Sequence, residues 1–220
     1  MVASYSQFGQ DRFVAESLFG GKRGGFFVEA GAGDGLWISN TLLLEQQYGW
    51  TGILIEPTSA FATLKRNRPH CICDDSCLAG EHKQVTMVEI LDRGQAQLSP
   101  HAGHNLLLSR AVEDVALFEL SIMNSYWGTA QKGYVKNAVP LASVLRKHAA
   151  PRQIDYLSLD VEGFEYEILR SFPFDEFEFG CLGIERPPSE LHELLLGRGY
   201  RPVSKVGEDI FYTLAVRPSR

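Results

Sequence analysis

Four acids crowd into eight positions of "LDVEGFEYEIL" (159–169): Asp160, Glu162, Glu165 and Glu167. In a ligand cleft, such carboxylates act as general bases. Elsewhere they form a solvated face. A second chemistry-bearing group lies in "VEAGAGDG" (28–35). Gly31, Gly33 and Gly35, with Ala32 between the first two, let a backbone turn tightly and approach a ligand closely. Their spacing is G-x-G-x-G, whereas nicotinamide-binding turns use G-x-G-x-x-G. Glu29 precedes the first glycine by two positions; its charge suits a cationic cofactor end, such as the ammonium of a methionine moiety, better than a pyrophosphate. Glu56, 21 residues after Gly35, can accept two hydrogen bonds from ribose hydroxyls. Asp75 can reach an adenine amino group. Asn40 and Thr41 can bond a cofactor carboxylate, or Ser39 and its neighbours can cap a helix.

These residues need strands that end side by side. "GFFVEAG" (25–31), "TGILIEP" (51–57), "HCICDDS" (70–76), "IDYLSLDVEG" (154–163) and "CLGIERP" (181–187) are short apolar runs ending in glycine, proline or acids. Buried parallel strands have that character. Helical stretches separate them: 11–19, 39–49, 60–69, 141–149, a helix from about Phe164 to Ser171, and 189–200. Two β-α-β units in succession predict a parallel sheet with right-handed crossovers. "RPVSKVGEDIFYTLAV" (201–216) predicts a closing antiparallel pair turning near Gly207. The predicted fold is therefore α/β, one doubly wound domain over 1–220, with Glu29, Glu56 and Asp75 along the carboxyl edge where ligands bind.

Residues 82–137 break the rhythm. "QVTMVEIL" (84–91) has strand character, 92–105 is a loop, and 118–135 mixes aromatics with small polar residues. The expectation is an inserted, lid-like substrate segment at about 92–137. Within it, His101 and His104 stand in a glycine-containing loop and are candidate general bases for a hydroxyl acceptor. Tyr126 and Trp127 are candidate walls of the acceptor pocket or core aromatics covering the sheet. A third histidine, His192, lies on a helix after the fifth strand.

The chain has 220 residues, a net charge of -6 and no basic block, which argues against a nucleic-acid surface. No apolar run approaches the ~20 residues of a membrane span. The first residues carry no signal-peptide pattern, so the expected setting is soluble and cytoplasmic. Oligomeric state is left open, a homodimer included. Cys71, Cys73, Cys77 and Cys181 do not follow structural zinc spacing and read as core cysteines. Asp160 and Glu185 offer oxygen ligands to Mg2+, but a neighbouring asparagine or second aspartate is missing and the ion is not favoured. No metal is assigned.

With "YSQFGQD", "FFVEAGAGDG", "SNT", "YGWTGILIEP", "IDYLSLDVEGFEYEIL" and "GIE", the chain resembles the FkbM-type S-adenosylmethionine-dependent methyltransferases over nearly its whole length. That resemblance implies the seven-stranded, Rossmann-like methyltransferase fold, in which a closing antiparallel pair is expected. It also implies S-adenosylmethionine as cofactor and methylation of an oxygen, often a hydroxyl of a sugar or polyketide product. Glu29, Gly31, Gly33, Glu56 and Asp75 would contact the cofactor, with Asp160 and Glu162 beneath it. The acceptor would be a small molecule or glycoside. The alternatives are a nicotinamide oxidoreductase, disfavoured by the glycine spacing and Glu29, and a non-catalytic nucleoside-binding domain. Of the four acids in the opening stretch, Asp160 and Glu162 are expected at the active site. Glu165 and Glu167 are expected to serve the positive end of the following helix.

Overall fold

Apolar runs alternate with amphipathic stretches along most of the chain, and that order is the order of the fold. The computed structural model describes residues 4–91, 107–112 and 129–215. The first helix, α1 (Gln10–Arg12), continues as a π-helical stretch (Phe13–Leu18) where a single α-helix over 11–19 was expected. Two β-α-β units follow: β1 (Phe26–Ala30), α2 (Leu42–Tyr48), β2 (Thr51–Ile55), α3 (Phe61–Asn67) and β3 (Ile72–Asp74). α2 stops at Gly49, whose φ of 67° lets its own N–H reach the Glu45 carbonyl and the Trp50 N–H reach the Leu44 carbonyl. α3 stops just before Pro69, because the residue preceding a proline avoids the helical region.

The middle of the chain supplies β4 (Cys77–Leu78), β5 (Lys83–Leu91), β6 (Leu107–Val112) and β7 (Thr129–Val139). Regular alternation then resumes with α4 (Leu141–Lys147), β8 (Gln153–Leu159), α5 (Glu165–Arg170), β9 (Glu178–Glu185) and α6 (Ser189–Gly197). A hairpin of β10 (Tyr200–Val206) and β11 (Asp209–Leu214) closes it.

Among the described residues there is a seven-stranded sheet in the order β10-β11-β9-β8-β1-β2-β3, and a four-stranded one in the order β4-β7-β5-β6. In the larger sheet β3, β2, β1, β8 and β9 run parallel, and the closing pair is antiparallel, as expected. Period-2 alternation sends successive side chains to opposite faces. Phe27, Leu54, Tyr156 and Phe211 pack with Val14 of the π-helical stretch, Leu43 of α2 and Leu64 of α3. Val28, Ile53, Leu157 and Leu182 pack with Val144, Ile168 and Leu191 of α4, α5 and α6. Helices thus cover both faces, and burial of each such side chain contributes about 1.5–3 kcal/mol.

β6 and much of β7 fall inside the span expected as a lid. β7 was not visible as a strand: its described part runs Tyr134, Val135, Lys136, Asn137 and Ala138, where an apolar side chain faces solvent and a lysine turns inward. Among the described residues no helix is long and apolar enough to cross a membrane.

Candidate active site

Chain direction reverses about the β1–β8 pair. From β1 the chain proceeds to β2 and β3 on one side, and from β8 to β9 on the other. Such a switch point opens a crevice at the carboxyl ends of the strands. The Asp160 N–H donates to the Ala30 carbonyl (3.1 Å), joining the two strand ends. Gly31 follows with φ of 85°, and a Cβ there would lie 1.8 Å from the Asp160 carbonyl oxygen. Only glycine fits. The N–H groups of Gly31 and Ala32 both reach the Ile55 carbonyl (3.0 and 3.1 Å), so the glycine turn hooks over the end of β2. Glu56, buried at that end, accepts from Gly33 N–H (2.7 Å) and Thr58 N–H (2.9 Å). Burial pushes the Glu56 carboxyl above the ordinary range, and the bonds from Thr58 and Gly33 pull it back.

Glu29, whose charge suggested a cationic cofactor end, is bonded here to the loop that follows the glycine turn. Its buried carboxylate accepts from Asn40 N–H (2.8 Å), Ser39 Oγ (3.1 Å) and Thr41 Oγ1. Ser39 Oγ also accepts from the N–H groups of Thr41 and Leu42, although α2 begins at Leu42 with Thr41, not Ser39, in the N-cap position. Behind this loop lies Arg68, only 1% exposed. It donates to Gly35 O (3.0 Å), Ser39 Oγ (3.2 Å), Thr41 Oγ1 (3.1 Å) and the Glu45 carboxylate. Burial raises the Glu29 carboxyl, with the Arg68 charge the largest counterweight. Glu29 therefore organises the 39–41 loop. Within that loop Asn40 donates to Ser158 Oγ on β8 (3.0 Å), while its buried Oδ1 has no partner. An acceptor without a donor, at the switch point, fits the ammonium of a methionine moiety.

The four acids that opened the sequence divide across two elements. Ligating oxygens of Asp160, Glu162 and Glu185 lie within 4.8 Å of one another, the one metal-capable group among the described residues. Glu162 takes a left-handed φ of 56°. The turn that carries it is pinned by buried Glu165, whose carboxylate accepts the N–H groups of Val161 and Gly163 at 3.1 Å each. Glu167 pairs with Lys83 of the second sheet (2.6 Å) and accepts from Gly80 N–H. Both serve the structure, by specific bonds beyond the helix dipole. Burial, then the charges of Glu185 and Glu162, push the Asp160 carboxyl well above its ordinary value. Asp209, opposite Glu185 in the β9–β11 ladder, is pushed up to about 6 by burial and Glu185, against a bond from Gln10. Three oxygen donors of this kind suit Mg2+; the same crowding makes Asp160 readier to take up a proton than an ordinary carboxylate.

β3 ends at Asp74, and exposed Asp75 follows it. Asp74 accepts from Lys147 Nζ (2.8 Å), Ser76 N–H (2.8 Å) and His148 Nε2 (2.6 Å). Burial alone would raise this carboxyl, but the bonds from Lys147, Ser76 and His148 hold it well below the usual range. Asp74 thus ties β3 to α4 and leaves Asp75 at the sheet edge. His192 is hydrogen-bonded to Tyr212 OH (3.1 Å) in the packing of α6. Cys77 and Cys181 are buried, Cys71 and Cys73 half-buried, and no cysteine joins the metal-capable group. His101, His104, Tyr126 and Trp127 lie outside the described residues. Arg68 is the feature that composition and spacing left unmarked; Asn40 was expected as a partner for a cofactor carboxylate, whereas its open group is the acceptor Oδ1.

A comparison with protein families matches the methyltransferase FkbM domain over residues 29–202. Among solved structures, the methyltransferase FkbM from Methylobacillus flagellatus KT matches with a TM-score of 0.49 and 12% identity. The match covers 86% of this chain and 43% of that one, so the chain spans less than half that protein's length. No curated protein matches.

Proposed function

The chain belongs to the FkbM methyltransferase family, and on that footing we propose that it is an S-adenosylmethionine-dependent O-methyltransferase acting on a hydroxyl of a small molecule, sugar or polyketide-type product. S-adenosylmethionine supplies an electrophilic methyl group on a sulfonium. The observation that carries the proposal is the fit of Gly31 against the Asp160 carbonyl, with Glu56 stitched to the same glycine turn. It sets the buried Glu56 on one side of the turn and Asp160 on the other, which supports reading the first as the ribose partner and the second as the base.

In this proposal Glu56 accepts the ribose hydroxyls through its remaining lone pairs, and Asp75 meets the adenine. Asn40 Oδ1 accepts from the methionine ammonium, held in place by Ser158 and by Glu29. The acceptor hydroxyl must be aligned in line with the methyl group, with water kept out. Its proton goes to Asp160, whose raised pKa makes it a stronger base than an ordinary carboxylate. Glu162 and Glu185 sustain that basicity. His101 and His104 are the alternative bases, with Tyr126 and Trp127 as acceptor walls, all in the segment joining the strands of the second sheet.

Calorimetry with S-adenosylmethionine and S-adenosylhomocysteine, followed by a methyl-transfer screen against glycosides and polyketides read by mass, tests this. The expected results are cofactor binding that is lost in Glu56→Ala, and a 14-Da gain on a hydroxylated acceptor, the mass of one CH2. Absence of binding by the folded protein refutes the cofactor. Undiminished transfer by Asp160→Asn refutes the base.

A further inference from the structure

We infer that Lys136 is a positioning residue of the nucleoside pocket: its ammonium ties the ends of β2 and β3 to the second sheet, setting the backbone that carries Glu56 and Asp75. The pocket's occupant rests on the proposal above; the tie itself does not. Lys136 lies on β7, flanked by exposed Val135 and Asn137, while its own side chain is half-buried. The alternation of a strand therefore turns it toward the larger sheet. Its Nζ donates to the carbonyls of Pro57 (2.5 Å) and Asp75 (2.7 Å). Pro57 directly follows the ribose-facing Glu56, and the Asp75 carbonyl belongs to the adenine-facing residue itself. Both contacts are main-chain carbonyls at strand ends, where the chain leaves the ladder.

Anchorage by the backbone surrounds this side chain. Two and three residues beyond Lys136, Ala138 and Val139 pair in parallel with Cys77 and Leu78 of β4, and Ala79 N–H donates to the Val139 carbonyl. The stretch after β3 is thus held by main-chain bonds; Glu56 N–H also donates to the Asp74 carbonyl (3.0 Å), and Lys136 adds a link from the second sheet to both strand ends. Its positive charge acts on the Glu56 carboxylate across the same gap. Asp74, one residue before Asp75, is fixed separately by Lys147 and His148. Two cationic tethers therefore bracket the end of β3, and of these two Lys136 is the one that also reaches the end of β2.

The test compares full-length wild type, Lys136→Met and Lys136→Arg by thermal melting, amide exchange and calorimetry. In Lys136→Met, exchange of the Thr58 and Ser76 amides should accelerate. Affinity for S-adenosylhomocysteine and for adenosine should fall together, each roughly tenfold, the loss expected for charge-assisted bonds. Lys136→Arg keeps two donors and a charge and should recover most of both losses. Should Lys136→Met fail to fold, Lys136→Gln carries the same comparison. Unchanged exchange overturns the inference. So does a lowered melting temperature with unaltered affinity, which would make the lysine a plain structural link. An equal loss in Lys136→Arg overturns it as well. If the wild type binds no S-adenosylhomocysteine, the cofactor proposal fails, while the exchange measurement still decides the tie.

Discussion

Replacing Arg68 with methionine removes the cation around which the 35–41 loop is folded. The guanidinium supplies hydrogen bonds to Gly35 O, Ser39 Oγ, Thr41 Oγ1 and Glu45, and is the largest favourable charge felt by Glu29. Methionine fills most of the stem volume, so the cavity contribution is small. Deleting one partner of a buried ionic network costs about 3–5 kcal/mol. For a domain of this size each kcal/mol lowers Tm by about 2–4 °C, which makes the expected loss roughly 6–20 °C. The cost has a pH signature. Without Arg68 the Glu29 carboxyl rises further above its unfolded value, so the folded state holds the extra proton. Such a group destabilises the fold fully above its folded pKa and ceases to do so as pH falls toward the ordinary carboxylate value. Urea unfolding of wild type and Arg68→Met at pH 8 and pH 5 reads both effects. The deficit should be several kcal/mol at pH 8 and smaller at pH 5. Titrations common to both proteins cancel in the difference. A deficit below about 1 kcal/mol at pH 8, or one equal at both pH values, would refute the assignment of Arg68 as the countercharge of Glu29.

Gly31→Ala adds a Cβ 1.8 Å from the Asp160 carbonyl at a φ of 85°; the backbone strain alone costs about 1–2 kcal/mol, and both the urea midpoint and cofactor affinity should drop. An unaltered midpoint would show that the β1–β8 junction yields freely. Asp209, with a folded pKa of about 6 against 3.8, destabilises the fold above about pH 6 and not below pH 4, by up to ~3 kcal/mol. Asp209→Asn should therefore be more stable than wild type at pH 8, with that advantage gone at pH 4; an equal difference at both would assign the effect to packing. Glu165→Ala frees the Val161 and Gly163 N–H groups, which should lower kcat on the order of tenfold while cofactor affinity holds, since about 1–2 kcal/mol of turn order is lost. Equal falls in both quantities would mean that the turn supports binding instead.

What could be read in the sequence follows from what repeats in it. Parallel strands buried on both faces write themselves as apolar runs: "GFFVEAG" and "TGILIEP" became β1 and β2 within two residues, while "IDYLSLDVEG" became β8, which ends four residues sooner, at Leu159. The glycine turn was legible because Gly31 answers a steric demand that no other residue meets. β7 was not, since a lysine turned inward and a valine turned outward cancel the period-2 signal. Arg68 was equally hidden. In "KRNRP" its neighbours Lys65 and Arg66 are exposed and carry the same charge, and only the tertiary contact with Glu45 and the 35–41 loop separates them.

Charge at a strand end has thus to be sorted by what competes for it. Glu29 and Asp74 are the acids most deeply engaged, the first by Ser39, Asn40 and Thr41, the second by Lys147, Ser76 and His148. Each satisfies the protein before it can satisfy a ligand, and each frees a neighbour: Asn40 Oδ1 beside Glu29, Asp75 beside Asp74. Glu165 does the same for Asp160 and Glu162, holding their turn by two main-chain bonds while they crowd Glu185. In all three places a fully bonded acid builds the frame, and the group left for chemistry stands one to eleven residues away. Spacing in the sequence locates such clusters; the hydrogen bonds decide which member is spent and which is available.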